Sequence, residues 1–208
     1  MAVVIRKIKR YGWKPDLPDK RDRHFAGHKR EVLPDVVDLR PNCPPVYDQG
    51  DLGSCTGNAI AGALHYERMQ QFATPDYIPS RLFIYYNERV MEGSVNDDAG
   101  AEIRDGIKSV SQLGACAEDD WPYDINQFTV KPPEGDYTKA LQDCALVYER
   151  LDNTKLDDLR LCLASGFPFV FGFAVYESFE SNEVAATGVV NMPDLKHEQQ
   201  IGGHGGRL

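Results

Sequence analysis

One stretch constrains this chain more than any other: Asp48-Gln49-Gly50-Asp51-Leu52-Gly53-Ser54-Cys55-Thr56-Gly57-Asn58-Ala59. Its first half is built of turn formers. Its second half opens a run of small residues, Gly57, Ala59, Ala61, Gly62 and Ala63, which predicts a closely packed helix from Cys55 to about Met69 with Ser54 as its N-cap. A thiol in the first turn of a helix meets unpaired amide N–H groups and the positive end of the helix dipole. Both stabilise a thiolate, so the position predicts a lowered pKa and a reactive cysteine.

The remaining cysteines, Cys43, Cys116, Cys144 and Cys162, bring the total to an odd five without the dense spacing of a disulfide scaffold, so at least one thiol is expected to be free. No pair has the Cys-x-x-Cys or His-x-x-x-His spacing of a zinc site, so neither a metal nor a cofactor is expected. The 208 residues suffice for one full core or two small lobes. No apolar run has the roughly 18 residues of a membrane span, and Ala2 to Ile5 is broken at once by Arg6 and Lys7, unlike a signal-peptide core. The default expectation is a cytoplasmic protein without a membrane partner, with secretion by another route left open. The formal charge of -9 is uneven: residues 1 to 30 carry 10 Lys/Arg against 3 Asp/Glu, whereas the rest carries 13 against 29. A basic arm and an acidic body should attract each other, and the acidic body argues against a nucleic-acid partner.

Residues 1–34 read as an extended arm, because Pro15, Pro18 and Pro34 interrupt any helix and the dense charges leave no apolar face. Such an arm is free, docked without consequence, or laid across a cleft. The body, 35–208, divides into a mainly helical part, 35–125, and a strand-rich part, 126–208. Ser80 caps a predicted helix through Leu82, Tyr85, Tyr86 and Arg89; Ile103, Ile107 and Val110 mark another, ended by Gly114; Leu156, Leu159 and Leu163 mark a third, ended by Gly166. Residues 126–136 read as loop, Phe167 to Tyr176 as a buried strand with Phe173, Tyr176 and Phe179 in the core, and Gly188-Val189-Val190 as a short strand.

Gln49-Gly50 followed by Gly53-Ser54-Cys55 resembles the active-site loop of the papain-like cysteine peptidases, and Leu33-Pro34-Asp35 to Asp38-Leu39-Arg40 resembles the start of their mature domain. Thr56 stands where the family usually has Trp, and Leu52 where it usually has a disulfide cysteine. The resemblance implies an α+β, two-lobe fold with a helical N-terminal lobe, a strand-rich barrel-like C-terminal lobe, and the active-site cleft between them. It implies Cys55 as nucleophile and Gln49 as an oxyanion donor beside the Cys55 N–H. It also implies substrate contacts at Gly53, Ser54 and Gly100, the last from Asp97-Asp98-Ala99-Gly100, and a protein or peptide as substrate. An arm docked on the body would act as a propeptide, while Trp121-Pro122-Tyr123 matches the segment linking the lobes and is assigned to packing.

A nucleophilic thiol needs a base. His24 and His28 lie in the arm, His65 is on the wrong face of the Cys55 helix, and His197 lies in a charged loop, which leaves His204. It follows Cys55 by 149 residues, within the roughly 130–150 typical of papain-like enzymes, and Ile201-Gly202-Gly203-His204 resembles the family's approach to its catalytic strand, with Gly203 offering backbone to the substrate. Beyond His204 only Gly205-Gly206-Arg207-Leu208 remain, so the orienting Asn of the family has no counterpart here and part of the second lobe is expected to be missing or finished differently. A cysteine endopeptidase is therefore expected. Two rivals stand beside it: a catalytically inactive binding protein of the same fold, and a thiol amidase or acyl-transferase.

Overall fold

Small residues decide where the helices meet. In the computed structural model, which describes residues 10–27, 32–71, 76–145 and 147–208, helix α1 (Cys55–Gln71) is buried on nearly every side over its first two turns. A Cβ on Gly57 would lie 2.9 Å from the Arg81 carbonyl oxygen, so that glycine lets the backbones of α1 and α2 (Arg81–Glu92) approach closely. Gly106 does the same for α3 (Ile103–Leu113), where a Cβ would sit 2.4 Å from both Glu88 Oε2 and Ile60 Cδ1. Leu82, Phe83 and Tyr85 then pack with Leu52, Cys116 and Trp121, while Ile60, Ala61, Ile84 and Val110 form a second cluster. This apolar burial is the main term holding the helical lobe together.

The expected helix signals hold. Ser80 accepts from the Phe83 N–H, and Gly114 closes α3 at φ 74°; Gly93, not singled out from the sequence, closes α2 in the left-handed region. Helix α5 (Leu156–Ala164) ends just before Gly166. At the head of α1 the expectation is corrected in detail. The Ser54 hydroxyl is bonded to the Tyr123 phenol and the Asn58 side chain rather than to a helix amide. The loop at 126–136 is shorter than expected, because a 3-10 turn covers Ile125–Gln127 and α4 (Glu134–Ala140) begins within it.

The second lobe is not a barrel. Its described sheet is one antiparallel pair, β3 (Val170–Tyr176) with β4 (Gln200–Arg207), joined through a 3-10 turn and a short helix α6 (Asn182–Thr187). Gly188 caps α6, and Val189 and Val190 are exposed coil rather than a strand. Only Val175 of β3 is fully buried, and Tyr176 is half-buried at its end; Phe173 and Phe179, also half-buried, are not core. They pack instead beside His204, with ring centroids 5.8 and 6.3 Å away.

The arm is docked. β1 (Trp13–Lys14) pairs in parallel with β2 (Ala101–Glu102), and the Ala101 N–H donates to the Gly12 carbonyl at 2.7 Å. Two basic arm residues meet acids of the body, Arg10 with Asp98 and Lys14 with Glu92. The least exposed ion pair between arm and body runs the other way, since Asp22 accepts from Arg104; Asp22 also accepts from Arg150, and Asp16 from the Arg104 backbone N–H. Sequence-level charge balance anticipated attraction but not its sign at the contacts. Residues 1–9 and 28–31 of the expected arm, including His28, lie outside the described residues.

Candidate active site

The loop before α1 is held from three directions. Arg81 donates to the Asp48 carbonyl and to Asn58 Oδ1 while its guanidinium lies 3.9 Å from the Tyr123 ring centroid. Tyr123, assigned to packing from the sequence, also donates to the Gln49 carbonyl at 3.0 Å. Asp98 accepts from the Gly53 N–H at 3.0 Å and from the Tyr85 hydroxyl at 2.6 Å, and Tyr85 in turn accepts from the Gly100 N–H. The segment leading to Asp98 is itself fixed by Arg89. This fully buried cation donates to the carbonyls of Val95, Asp97 and Phe128. Neither Asp98 nor Arg89 carries a sequence signature that separates it from an ordinary surface charge.

At the end of this loop Cys55 is 1% exposed. Its Sγ accepts from the Gly205 N–H at 3.3 Å, which brings β4 and the residue next to His204 onto the helix start. Among the described residues no hydrogen bond joins the thiol to the imidazole, and His204 Nδ1 is buried without a partner. The ring sits among Tyr11, Phe173 and Phe179, with the Tyr11 hydroxyl bonded to Glu180. The other described histidines lie elsewhere: His65 lies between Tyr47 and Asp76, His197 meets Asp194, and His24 is in the arm, where its backbone forms a β-bridge with Arg150.

The electrostatics correct the expectation of an acidic thiol. Burial pushes the Cys55 pKa up, and the opposing backbone N–H groups of Gly205, Gly12 and Thr56 do not overcome it. Burial likewise pushes His204 down, against the pull of Glu180. With the arm in place both groups therefore favour their neutral forms.

The arm packs against this site, with the Tyr11 ring beside His204. A Cβ on Gly12 would lie 1.7 Å from the Gly53 carbonyl oxygen, and one on Gly100, at φ 69°, would lie 1.9 Å from the Gly12 carbonyl oxygen. Gly53 and Gly100 thus lie against the extended backbone of the arm. Gly203 faces Trp13. The Gln49 side-chain amide donates to the Leu52 carbonyl at 2.9 Å, which occupies one of its two hydrogens. Ser54 is fully buried with its hydroxyl engaged, so its place is in the loop's support rather than at an open surface. All five cysteines are free, and among the described residues no group of three or more His, Cys, Asp or Glu is gathered to hold a metal. Among the same residues no helix is long and apolar enough to cross a membrane.

No family model matches the chain. An uncharacterized peptidase C1-like protein of Acanthamoeba polyphaga mimivirus is 43% identical to it, over 93% of this chain and 70% of the relative. The crystal structure of xylellain, a cysteine protease from Xylella fastidiosa, is 41% identical with a TM-score of 0.84, covering 99% of this chain and 81% of that one. Procathepsin B of Trypanosoma congolense shares the fold at 16% identity and a TM-score of 0.67, over 96% of this chain and 70% of that one.

Proposed function

This chain belongs to the papain-like C1 cysteine peptidases, and within that family we propose that Cys55 and His204 form its catalytic pair and that residues 10–14 of the 1–34 arm hold the pair in an inhibited state, with 35–208 as the peptidase domain. The hydrogen bond from Gly205 N–H to Cys55 Sγ carries the reading, because it joins the helix-start thiol to the strand bearing His204, whose Nδ1 is buried with no hydrogen-bond partner among the described residues. Protein or peptide chains are the substrates. Gly53, Gly100 and Gly203 offer them backbone, in the positions where the arm now lies.

Once the arm leaves, water reaches the cleft and the thiol proton passes to His204, giving the thiolate-imidazolium pair. The sulfur attacks the scissile carbonyl carbon. The carbonyl electrons move to oxygen, held by the Cys55 N–H and the free hydrogen of the Gln49 amide. As the C–N bond breaks, His204 gives its proton to the leaving amine. His204 then takes a proton from water, whose oxygen displaces the sulfur from the acyl-enzyme. The acid is released and the pair restored.

The test uses the steric contact at Gly12. Gly12→Ala drives a Cβ into the Gly53 carbonyl and should expel the arm. With a limiting thiol reagent at about pH 5, where an ordinary thiol of pKa about 8.5 is protonated, Cys55 of the Gly12→Ala protein should label far faster than in the parent chain and faster than the other four cysteines. Adding His204→Ala should abolish the gain. Equal rates in parent and Gly12→Ala would refute inhibition by the arm, and fast labelling that survives His204→Ala would refute the pair.

A further inference from the structure

The arm touches the base as well as the loop before the thiol. Tyr11 precedes the Gly12 that lies against Gly53, and its ring stands edge-on to the His204 imidazole with 5.7 Å between centroids. Gly202 makes room for it, since a Cβ there would lie 2.6 Å from the Tyr11 Cβ. The Tyr11 hydroxyl donates to Glu180 Oε1. Glu180 closes the 3-10 turn Glu177–Glu180 that follows β3, directly after the Phe179 that packs beside the imidazole. The other acids around this turn hold backbone: Glu177 accepts from the Gln199 N–H, and Glu198 from the N–H groups of Ser178 and Asp194. Glu180 reaches the arm instead. Burial disfavours the His204 imidazolium, and the charge of Glu180 opposes that burial. Around the ring α1 brings the Cys55 thiol, the arm the Tyr11 phenol and the turn Glu180, while β3 brings only Phe173.

We propose that Glu180 is a positioning residue with two alternative partners: in the inhibited protein it holds the arm through Tyr11, and once the arm is displaced it turns to His204 and orients the imidazole for proton transfer. The inference rests on Cys55 and His204 being the catalytic pair. An imidazolium carries an N–H on both ring nitrogens. The thiolate takes one, and the other needs an acceptor. A carboxylate supplies it, and its negative charge offsets part of the cost that burial places on the cation. The exchange also couples the two events, because departure of Tyr11 releases the carboxylate from the phenol at the moment when the base is needed.

The experiment follows cleavage of one fluorogenic peptide by the parent chain and by the Gly12→Ala protein, whose arm is expelled, each with and without Glu180→Ala. The substitution should act in opposite directions in the two. In the parent it removes an anchor of the arm, so kcat/KM at about pH 7 should rise several-fold. In the Gly12→Ala protein it should lower kcat/KM by about tenfold, through kcat rather than KM, and the alkaline limb, where the imidazolium loses its proton, should move down by about one pH unit. Gly12→Ala/Glu180→Gln keeps an acceptor without the charge, and should recover part of the rate while the limb stays at its lowered position. A loss of activity in both proteins with the limb unmoved would make Glu180 purely structural and overturn the proposal. A rise in the parent with no change in the Gly12→Ala protein would confine Glu180 to the arm and overturn it equally. Gly12→Ala/His204→Ala separates this from the pair itself: cleavage as fast as Gly12→Ala removes His204 as the base and the proposal with it, whereas an inactive His204 variant beside an unimpaired Glu180 variant removes only the role of Glu180.

Discussion

Glu88 is the most exposed of this protein's features to a quantitative test, although it is the least exposed to solvent. It is fully buried on α2, accepts from Thr56 Oγ1 at 2.5 Å through Oε1, and leaves Oε2 without a partner beside Gly106. Burial, outweighing the Thr56 hydrogen bond, raises its pKa from 4.5 to about 8. Below pH 4.5 the carboxyl is protonated in both folded and unfolded chains and costs nothing extra. Between 4.5 and about 8 the unfolded chain loses the proton and the folded one keeps it, so stability falls as pH rises through this window and levels off above it. At about 1.4 kcal/mol per pH unit, the span amounts to an order-of-magnitude loss of about 4–5 kcal/mol. Glu88→Gln keeps an acceptor for Thr56 and removes the titration, at the cost of one further buried N–H, about 1–3 kcal/mol at every pH. Urea unfolding of Cys55→Ala and Cys55→Ala/Glu88→Gln, which cannot digest themselves, should be measured from pH 4.5 to 8.5. The Gln variant should be the less stable at the acid end and the more stable, by about 2–4 kcal/mol, at the alkaline end. A difference between the two that does not change with pH would refute the reasoning.

Asp98→Ala strands the Gly53 N–H and the Tyr85 hydroxyl, and should lower stability by about 2–4 kcal/mol with an unchanged urea m-value; Asp98→Asn should recover part of it. Arg104→Ala removes the cation that holds Asp22 and the Leu17 carbonyl, and should speed Cys55 labelling by about tenfold or more through freer opening of the arm. Arg104 also holds the Asp22 carboxyl below its ordinary 3.8. The clasp is therefore intact above that value and is lost only as pH falls through the lowered one, so its share of arm docking should be unchanged from pH 7 to about 4.

The helix signals were local and therefore legible. Ser80, Gly114 and Gly166 act within a turn or two of themselves, and the backbone has few other ways to satisfy them. The turn formers before Cys55 and the helix they open were legible because such residues restrict the local backbone. Contacts made across the fold were not. Nothing in Tyr11-Gly12-Trp13 distinguishes a tail from a segment lying over the thiol, because that depends on gaps left by Gly100, Gly172 and Gly203, residues far apart in sequence. The same holds for the sign of the Cys55 shift. The helix start that favours a thiolate belongs to α1 alone, whereas the burial that outweighs it comes from the arm and β4 packing around it. Sequence by itself determined which groups are present and which turns begin and end the helices, since those rest on short-range sterics and hydrogen bonds. Tertiary structure alone decided what state those groups are in, because desolvation and close approach depend on every segment that meets at the site.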